Sequence, residues 1–398
     1  MKKKRSCTWV KKIITPTFIK AVILLVPVTL LVFYKATSGE LSLDDFFSID
    51  TFSAIILAFL CQSIADHIAK RIEKKNEDSL KLTQDYGKLV KKYNRAELFR
   101  FDGKTYPTVR LCQRGSKDEP FCLDFDHAMA HKKYQLPAQV AANSDHLMKA
   151  HGHSKIYNQL NIRMDSLQKT GNKVTISYSQ TYYYDSLITN RAMDYAWENG
   201  KSVREIYEPG PFLSALDDSK LSNHLGFNGF LETSDERIIF VRRGRDLSIG
   251  KSTWSGSIGA SLKARYALSD EQRLNKDGLS QAIRMEIKDE LYIDIDPHVD
   301  LTKSIFAFYR DVVEGGKPQF LFYYKLDNYT FAEFEKNFYN HYQKEDNSVD
   351  GTEFLGLSTQ ECRACGLDPN GMTMHDRFYN MTASTAASLA MLLQYFEG

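Results

Sequence analysis

Residues 224–262 read HLGFNGFLETSDERIIFVRRGRDLSIGKSTWSGSIGASL. The stretch divides into a strand, FNGFLET, a polar turn, SDER, a second strand, IIFVRRG, and a glycine-punctuated strand, WSGSIGAS. After a spacer, the segment LSQAIRMEIKDELYI (279–293) carries apolar residues at helical spacing. The predicted elements therefore follow one another as a hairpin, a third strand and an amphipathic helix.

Three acids of the predicted helix share one face, because Glu286, Asp289 and Glu290 are spaced i, i+3 and i+4. Carboxylates at this spacing can hold one or two Mg²⁺ ions, which neutralise a bound diphosphate and activate water. A helix with three acids on one side is also the ordinary solvent-exposed face of a globular domain. Both interpretations stay open from the sequence.

The hairpin adds candidate ligand-binding residues. Arg242, Arg243 and Arg245 can offer bidentate contacts to phosphate, and Trp254 can stack on a base. The alternatives are solvent-facing strand arginines and a core tryptophan.

Together these elements resemble a Nudix domain over roughly residues 173–398. The family signature, G-x5-E-x7-R-E-U-x-E-E-x-G-U with U aliphatic, ends here on Met285 through Ile293. All three acidic positions are filled, but Met285 replaces the arginine and Tyr292 replaces the glycine. Counting back puts Asp277 at the isolated glutamate and Glu271 at the first glycine. The resemblance implies an α/β (α+β) Nudix-like sandwich with a mixed sheet. It also implies Mg²⁺ as cofactor, and Glu286 as the catalytic residue if the protein is a hydrolase.

The N-terminus predicts a transmembrane hairpin. Residues 13–34 form an apolar stretch of 22 residues with one charge, and residues 46–64 form a second candidate of 19 residues. A bilayer core needs roughly 20 helical residues. Lys and Arg flank both outer ends and acids fill the connector, which favours two cytoplasmic termini.

The chain therefore divides into four predicted regions: a hairpin at 1–65, a charged helical stem at 66–100, a mixed α/β lead-in at 101–172, and the Nudix-like domain at 173–398. In the stem, Leu82, Tyr86, Leu89 and Tyr93 form a helical stripe. The stripe either makes a short coiled coil or packs on the chain's own domain.

Other features carry less. The histidines at 127 and 131 lack a metal-protease pattern, and the ECRACG pair (361–366) lacks a second pair of ligands, so free thiols are expected. The tail 381–396 is apolar and rich in small residues, and its length favours a buried core helix over a third span.

Two spans followed by a Nudix-like domain are similar to the two-transmembrane Nudix effectors of bacterial cyclic-oligonucleotide anti-phage signalling systems (CBASS). The resemblance implies an antiviral effector that binds a cyclic oligonucleotide made by a partner nucleotidyltransferase, forms homo-oligomers and disrupts the inner membrane. The expected partners are that nucleotide and the lipid bilayer, with no DNA or RNA duplex. The alternatives are a membrane-anchored Nudix hydrolase that cleaves a nucleoside diphosphate derivative with Mg²⁺, and a tethered scaffold.

Overall fold

The computed structural model describes residues 62–64, 66, 81–151, 157–197, 200–244, 250–343, 349 and 351–397. The chain divides into two compact units, Met1–Ser79 and Leu80–Gly398. The strands and helices named below belong to the second unit.

The strands form three sheets. In chain order they are β1 (Leu98–Phe101), β2 (Lys104–Gln113), β3 (Cys122–Asp126), β4 (Leu160–Thr170), β5 (Lys173–Tyr182), β6 (Gly226–Glu232), β7 (Ile238–Arg243), β8 (Trp254–Ser255), β9 (Ile258–Ser261), β10 (Ile305–Asp311), β11 (Lys317–Lys325), β12 (Gly351–Leu357), β13 (Gly366–Asp368), β14 (Gly371–Met374) and β15 (Arg377–Asn380). The main sheet has the order β1-β2-β10-β11-β6-β7-β12, with β8 paired to β7 and β9 to β6. It is mixed, because β11 and β6 run parallel while its other pairs are antiparallel. The smaller sheets have the orders β3-β5-β4 and β13-β14-β15.

The helices are α1 (Tyr86–Lys92), α2 (Ala138–Ala141), α3 (Ser144–Met148), α4 (Tyr183–Leu187), α5 (Val203–Tyr207), α6 (Ala264–Ala267), α7 (Lys276–Leu291), α8 (Phe331–Tyr342), α9 (Thr359–Ala364) and α10 (Ala383–Glu397). Short 3₁₀ turns lie at Lys149–His151, Asn190–Ala192 and Leu301–Ser304.

Helices α7 and α10 cover opposite faces of the main sheet. The alternation of side chains along β6 sends Phe227 into the core under α7 and Phe230 into the core under α10. Helix α7 contributes an apolar stripe at helical spacing, Leu279, Ala282, Ile283, Ile287 and Leu291. The β3-β5-β4 sheet packs into the α7 side of the core.

Both ends of α7 are defined by local chemistry. The side chain of Asn275 accepts a hydrogen bond from the Gly278 N–H at 2.8 Å and caps the N-terminus. The helix ends at Tyr292, which adopts the left-handed conformation at φ 54° and ψ 34°. Tyr292 therefore occupies a backbone position that favours glycine.

Several sequence-based predictions are confirmed at the level of elements. Strands lie at 226–232, 238–243, 254–255 and 258–261, and the acidic helix spans 276–291. Helix α10 at 383–397 is a buried core helix, as its length and composition indicate. Residues 181–197, which show helical spacing in the sequence, contain the end of β5, the short helix α4 and a 3₁₀ turn at Asn190–Ala192.

The prediction of a transmembrane hairpin in the fold, and of a two-span protein of the bacterial inner membrane, is wrong. Within the described ranges, none of the helices is long and apolar enough to cross a bilayer. The longest of helices α1 to α10 is α7, with 16 residues, and the apolar α10 has 15, against the roughly 20 that a span requires. The segment 13–34 and most of the segment 46–64 lie outside the described residues.

The described part of the predicted stem packs on its own domain. Leu89 and Tyr93 of the helical stripe are buried in a cluster with Val312, Val313 and Ala383. The stem also contains β1, which starts at Leu98. Of the two interpretations of the stripe, packing on the chain's own domain is the one that these contacts favour.

Candidate functional site

The first candidate residue, Glu286, is held by an ion pair. Its side chain is only 3% exposed, and the Lys263 Nζ lies 2.5 Å from its Oε1. Burial raises the pKa of Glu286, and the Lys263 ammonium opposes that rise. Lys263 lies in the two-residue connection between β9 and α6, so the ion pair joins this connection to α7.

The other two acids of α7 have different surroundings. Asp289 is exposed and accepts a hydrogen bond from the Tyr266 hydroxyl at 3.3 Å. Glu290 lines a recess with Arg243 and Gly259. The three carboxylates that the sequence predicts as metal ligands are therefore engaged separately.

The residues present do not fit a Mg²⁺ site. Among the described residues, no group of three or more His, Cys, Asp or Glu side chains is arranged to hold a metal ion. The buried carboxylate that would contribute most to such a site already contacts an ammonium group. The ion pair places a positive charge against the Oε1 of Glu286, which disfavours a cation at this carboxylate.

The structure describes two of the three hairpin arginines, and these two have different surroundings. Arg242 lies 2.8 Å from Glu353 in a solvent-exposed ion pair between β7 and β12. The guanidinium of Arg243 lies beside two glycines: a Cβ built on Gly259 would be 3.5 Å from its Nη1, and one on Gly250 would be 3.3 Å from its Nε. Arg245 lies outside the described residues.

Trp254 packs rather than presenting a stacking surface. Its ring meets that of Tyr379 edge-on, with centroids 5.9 Å apart, and it packs against the core under α10. Of the two interpretations of this residue, the packing one agrees with these contacts.

The recess between Arg243 and Glu290 is small. Its volume is about 10 Å³, which is close to that of one water molecule and far below that of a ligand pocket. A cleft of about 430 Å³ lies elsewhere, at the N-terminus of α7. In that cleft the Arg284 guanidinium donates to the carbonyl oxygens of Pro297 and Val299, so it is committed to the backbone.

Sequence reasoning missed a group of polar side chains on the face of the main sheet that α10 covers. We call Asn228, Tyr309, Gln319 and Ser384 the amide network. The Asn228 Nδ2 donates to the Tyr309 hydroxyl at 2.7 Å and to the Gln319 Oε1 at 3.0 Å. The Gln319 Nε2 donates to the Ser384 Oγ at 3.1 Å, and the Tyr309 and Ser384 hydroxyls are 2.8 Å apart. The contacts close a ring of four side chains.

The amide network lies beside charged groups and glycines. A Cβ built on Gly226 would be 3.2 Å from the Gln319 Oε1 and 3.3 Å from the Lys317 Nζ. A Cβ on Gly259 would be 3.2 Å from the Asn228 Oδ1. The polar track therefore runs from Lys317 across β11, β6 and β9 to Arg243. The sequence signal for this network is a polar amide in each of two otherwise largely apolar strands: Asn228 in GFNGFLE and Gln319 in KPQFLFYYK.

Comparisons with known proteins do not assign this chain to a family. No family model matches the sequence, and no curated protein matches it. Among solved structures, the crystal structure of DR0079 from Deinococcus radiodurans is similar at 16% identity and a TM-score of 0.23, over 35% of this chain and 70% of that chain. A TM-score this low supports no inference about fold or function.

Proposed function

We propose that the unit 80–398 is a receptor for a phosphorylated nucleotide of the cyclic-oligonucleotide class, and that it binds this ligand without hydrolysing it. The observation that carries the proposal is the contact between the Lys263 ammonium and the Glu286 carboxylate at 2.5 Å. This contact supports binding over catalysis, because a fixed positive charge stands next to the carboxylate that a hydrolase would use for its metal.

A divalent ion at Glu286 would have to displace or approach the ammonium of Lys263. Like charges at a few ångströms repel strongly where water is scarce, so the pair disfavours metal binding there. The Nudix resemblance already places Met285 where the signature arginine would brace the catalytic glutamate. Both features weaken turnover.

The side chains that support ligand binding lie along the polar track. The amide network supplies neutral hydrogen-bonding groups, and Arg243 next to it carries a positive charge of the kind that attracts phosphate oxygens. Lys317, at the other end of the track, is buried in an ion pair with Glu314. Ligand-driven self-association is the output we propose. It requires that the assembled state binds the nucleotide more tightly than the free protein does.

The test uses the full-length chain and four probes: cyclic di-AMP, cyclic di-GMP, cyclic GMP-AMP and cyclic tri-AMP. We expect calorimetric binding of at least one probe in EDTA as well as in Mg²⁺, with the probe recovered intact by chromatography. Light scattering with and without the bound probe tests self-association.

Two substitutions decide between receptor and hydrolase. Mg²⁺-dependent conversion of a nucleotide that is lost in Glu286→Gln, but kept in the matched control Glu271→Gln, would show a hydrolase and overturn the proposal. Glu271 suits the control because its side chain is exposed. Absence of binding to all four probes would also overturn it.

A further inference from the structure

The amide network fixes the orientation of the Asn228 side chain. Both N–H groups of its amide are donated, one to the Tyr309 hydroxyl and one to the Gln319 Oε1. Reversing the amide would bring the Asn228 oxygen against the Gln319 oxygen, which places two acceptors face to face. The oxygen of Asn228 therefore points away from the network.

The partners of Asn228 are themselves fixed. If both amides reversed, the Tyr309 hydroxyl would have to donate to Asn228 and the Ser384 hydroxyl to Gln319, and no proton would remain for the 2.8 Å contact between Tyr309 and Ser384. Tyr309 is fully buried, and its hydroxyl also lies 3.2 Å from the Ser388 Oγ. Burial raises the pKa of Tyr309, so its hydroxyl stays protonated and keeps both donor and acceptor capacity. A preorganised network of this kind presents its one outward atom without a further entropic cost.

The outward atom is accessible. Asn228 and Gly259 are half-buried rather than buried, whereas Gln319 and Tyr309 are buried. Gly259 carries no side chain to cover the position 3.2 Å from the Asn228 Oδ1 and 3.5 Å from the Arg243 Nη1. Among the described residues, none donates a hydrogen bond to this oxygen. The Asn228 oxygen and the Arg243 guanidinium therefore both lie close to Gly259.

We propose that the Asn228 Oδ1 is a specificity-determining acceptor that receives a hydrogen bond from the exocyclic amino group of a purine base. The inference rests on the proposed function and adds to it the group that is recognised and the residue that recognises it. A ligand without the amino group leaves the Asn228 oxygen unpaired in a half-buried position, which lowers its affinity.

The experiment uses the full-length chain and whichever probe of the four it binds, together with the analogue in which hydrogen replaces the exocyclic amino group. Wild type should bind the parent probe roughly tenfold more tightly than the analogue, as expected for one hydrogen bond of this kind. Asn228→Ala should bind the two compounds equally. The matched control is Gln168→Ala, an exposed amide side chain on β4 of another sheet, and it should discriminate like wild type.

Ser384→Ala provides a second variant, because alanine suits a helix and this change loosens Gln319 without touching Asn228. It should reduce the discrimination to roughly threefold. If a probe binds and Asn228→Ala still prefers the parent compound as strongly as wild type, the inference is overturned while the proposed function stands. If Asn228→Ala is unfolded by circular dichroism, unchanged discrimination in Ser384→Ala overturns the inference in the same way. If no probe binds, both fall together.

Discussion

Breaking the buried ion pair between Lys263 and Glu286 should strongly lower the stability of the protein. Glu286 is almost fully buried and Lys263 largely so. Replacing Lys263 by methionine keeps most of the volume but leaves a buried carboxylate without its cation. We expect Lys263→Met to lower the free energy of unfolding at pH 8 by about 3 kcal/mol, as for other broken buried pairs. Urea denaturation measures this difference.

The loss in Lys263→Met should depend on pH in a defined direction. Burial already raises the pKa of Glu286, and removing the ammonium raises it further. A raised carboxyl pKa contributes stability that is complete below the unfolded value and is lost as the pH rises through the folded value. The free energy of unfolding of Lys263→Met should therefore be close to that of wild type near pH 5, and the difference between them should grow towards pH 8.

A double variant controls for packing. In Lys263→Met combined with Glu286→Leu no charge remains, so most of the lost stability should return. An equal loss in the single and double variants, or a loss independent of pH, would contradict the electrostatic interpretation of this contact.

At the residue scale the sequence predicts the acids but not their partners. The spacing of Glu286, Asp289 and Glu290 is visible along one helix. Lys263 lies in the connection after β9 and meets Glu286 only because α7 packs beneath that connection. The same holds for Asn228 and Gln319, which belong to strands far apart in sequence and meet through their parallel pairing. Contacts of this kind depend on the tertiary fold and leave no local pattern.

At the scale of elements, Gly278 of α7 offers a test in which two effects oppose each other. Helix propensity alone favours alanine over glycine by about 1 kcal/mol. A Cβ at Gly278, however, would lie 2.0 Å from the carbonyl oxygen of Ala267 in α6. Overpacking against backbone outweighs propensity, so we expect Gly278→Ala to destabilise the protein by about 2 kcal/mol.

Gly87 of α1 is the matched control. A Cβ there meets only the Asp85 Oδ1 at 3.6 Å, an ordinary contact. Gly87→Ala should therefore raise the free energy of unfolding by about 0.5 kcal/mol, which urea denaturation would show as a slightly higher midpoint. A gain of stability in both variants would contradict this prediction, because it would show that α6 can move away from the added Cβ of residue 278 without loss of stability.

The period of the hydrophobic pattern correctly predicts those strands and helices whose structure is determined by their local sequence. The hairpin β6–β7 and helix α7 each carry a strong alternating or helical pattern, and each lies where the pattern indicates. The pattern fails at 181–197, where helical spacing continues but the chain forms α4 and a separate 3₁₀ turn. In that segment Asn190 bonds to Asn223 and to the Glu314 carbonyl, so tertiary hydrogen bonds replace those of a continued helix.

At the scale of the whole molecule, two buried groups oppose each other in the pH dependence of stability. Burial, and after it the charge of Glu314, raises the pKa of Asp311. The stability that this carboxyl group contributes is therefore complete at acid pH and is lost as the pH rises. Burial lowers the pKa of His224, so its contribution is complete above about pH 6.5 and is lost on acidification. Between roughly pH 4 and 6.5 the two slopes oppose each other.

Asp311→Asn separates these contributions. The amide oxygen can still accept from the Val313 N–H, now 2.8 Å from the carboxylate. Without the titrating carboxyl group, stability should fall more steeply on acidification from pH 6.5 to 5 than it does in wild type, as measured by urea denaturation. The exposed control Asp217→Asn should follow wild type. Parallel curves for wild type and Asp311→Asn would contradict the prediction.

The strand order has a consequence for biosynthesis. Strand β2 pairs with β10, and the paired residues are roughly two hundred positions apart along the chain. A ribosome adding about 5–20 residues per second needs roughly 10–40 seconds to cover that separation. Throughout that interval the nascent β1–β2 hairpin has one edge without its native neighbour, so chaperones that shield such edges should associate with this chain during translation rather than after release.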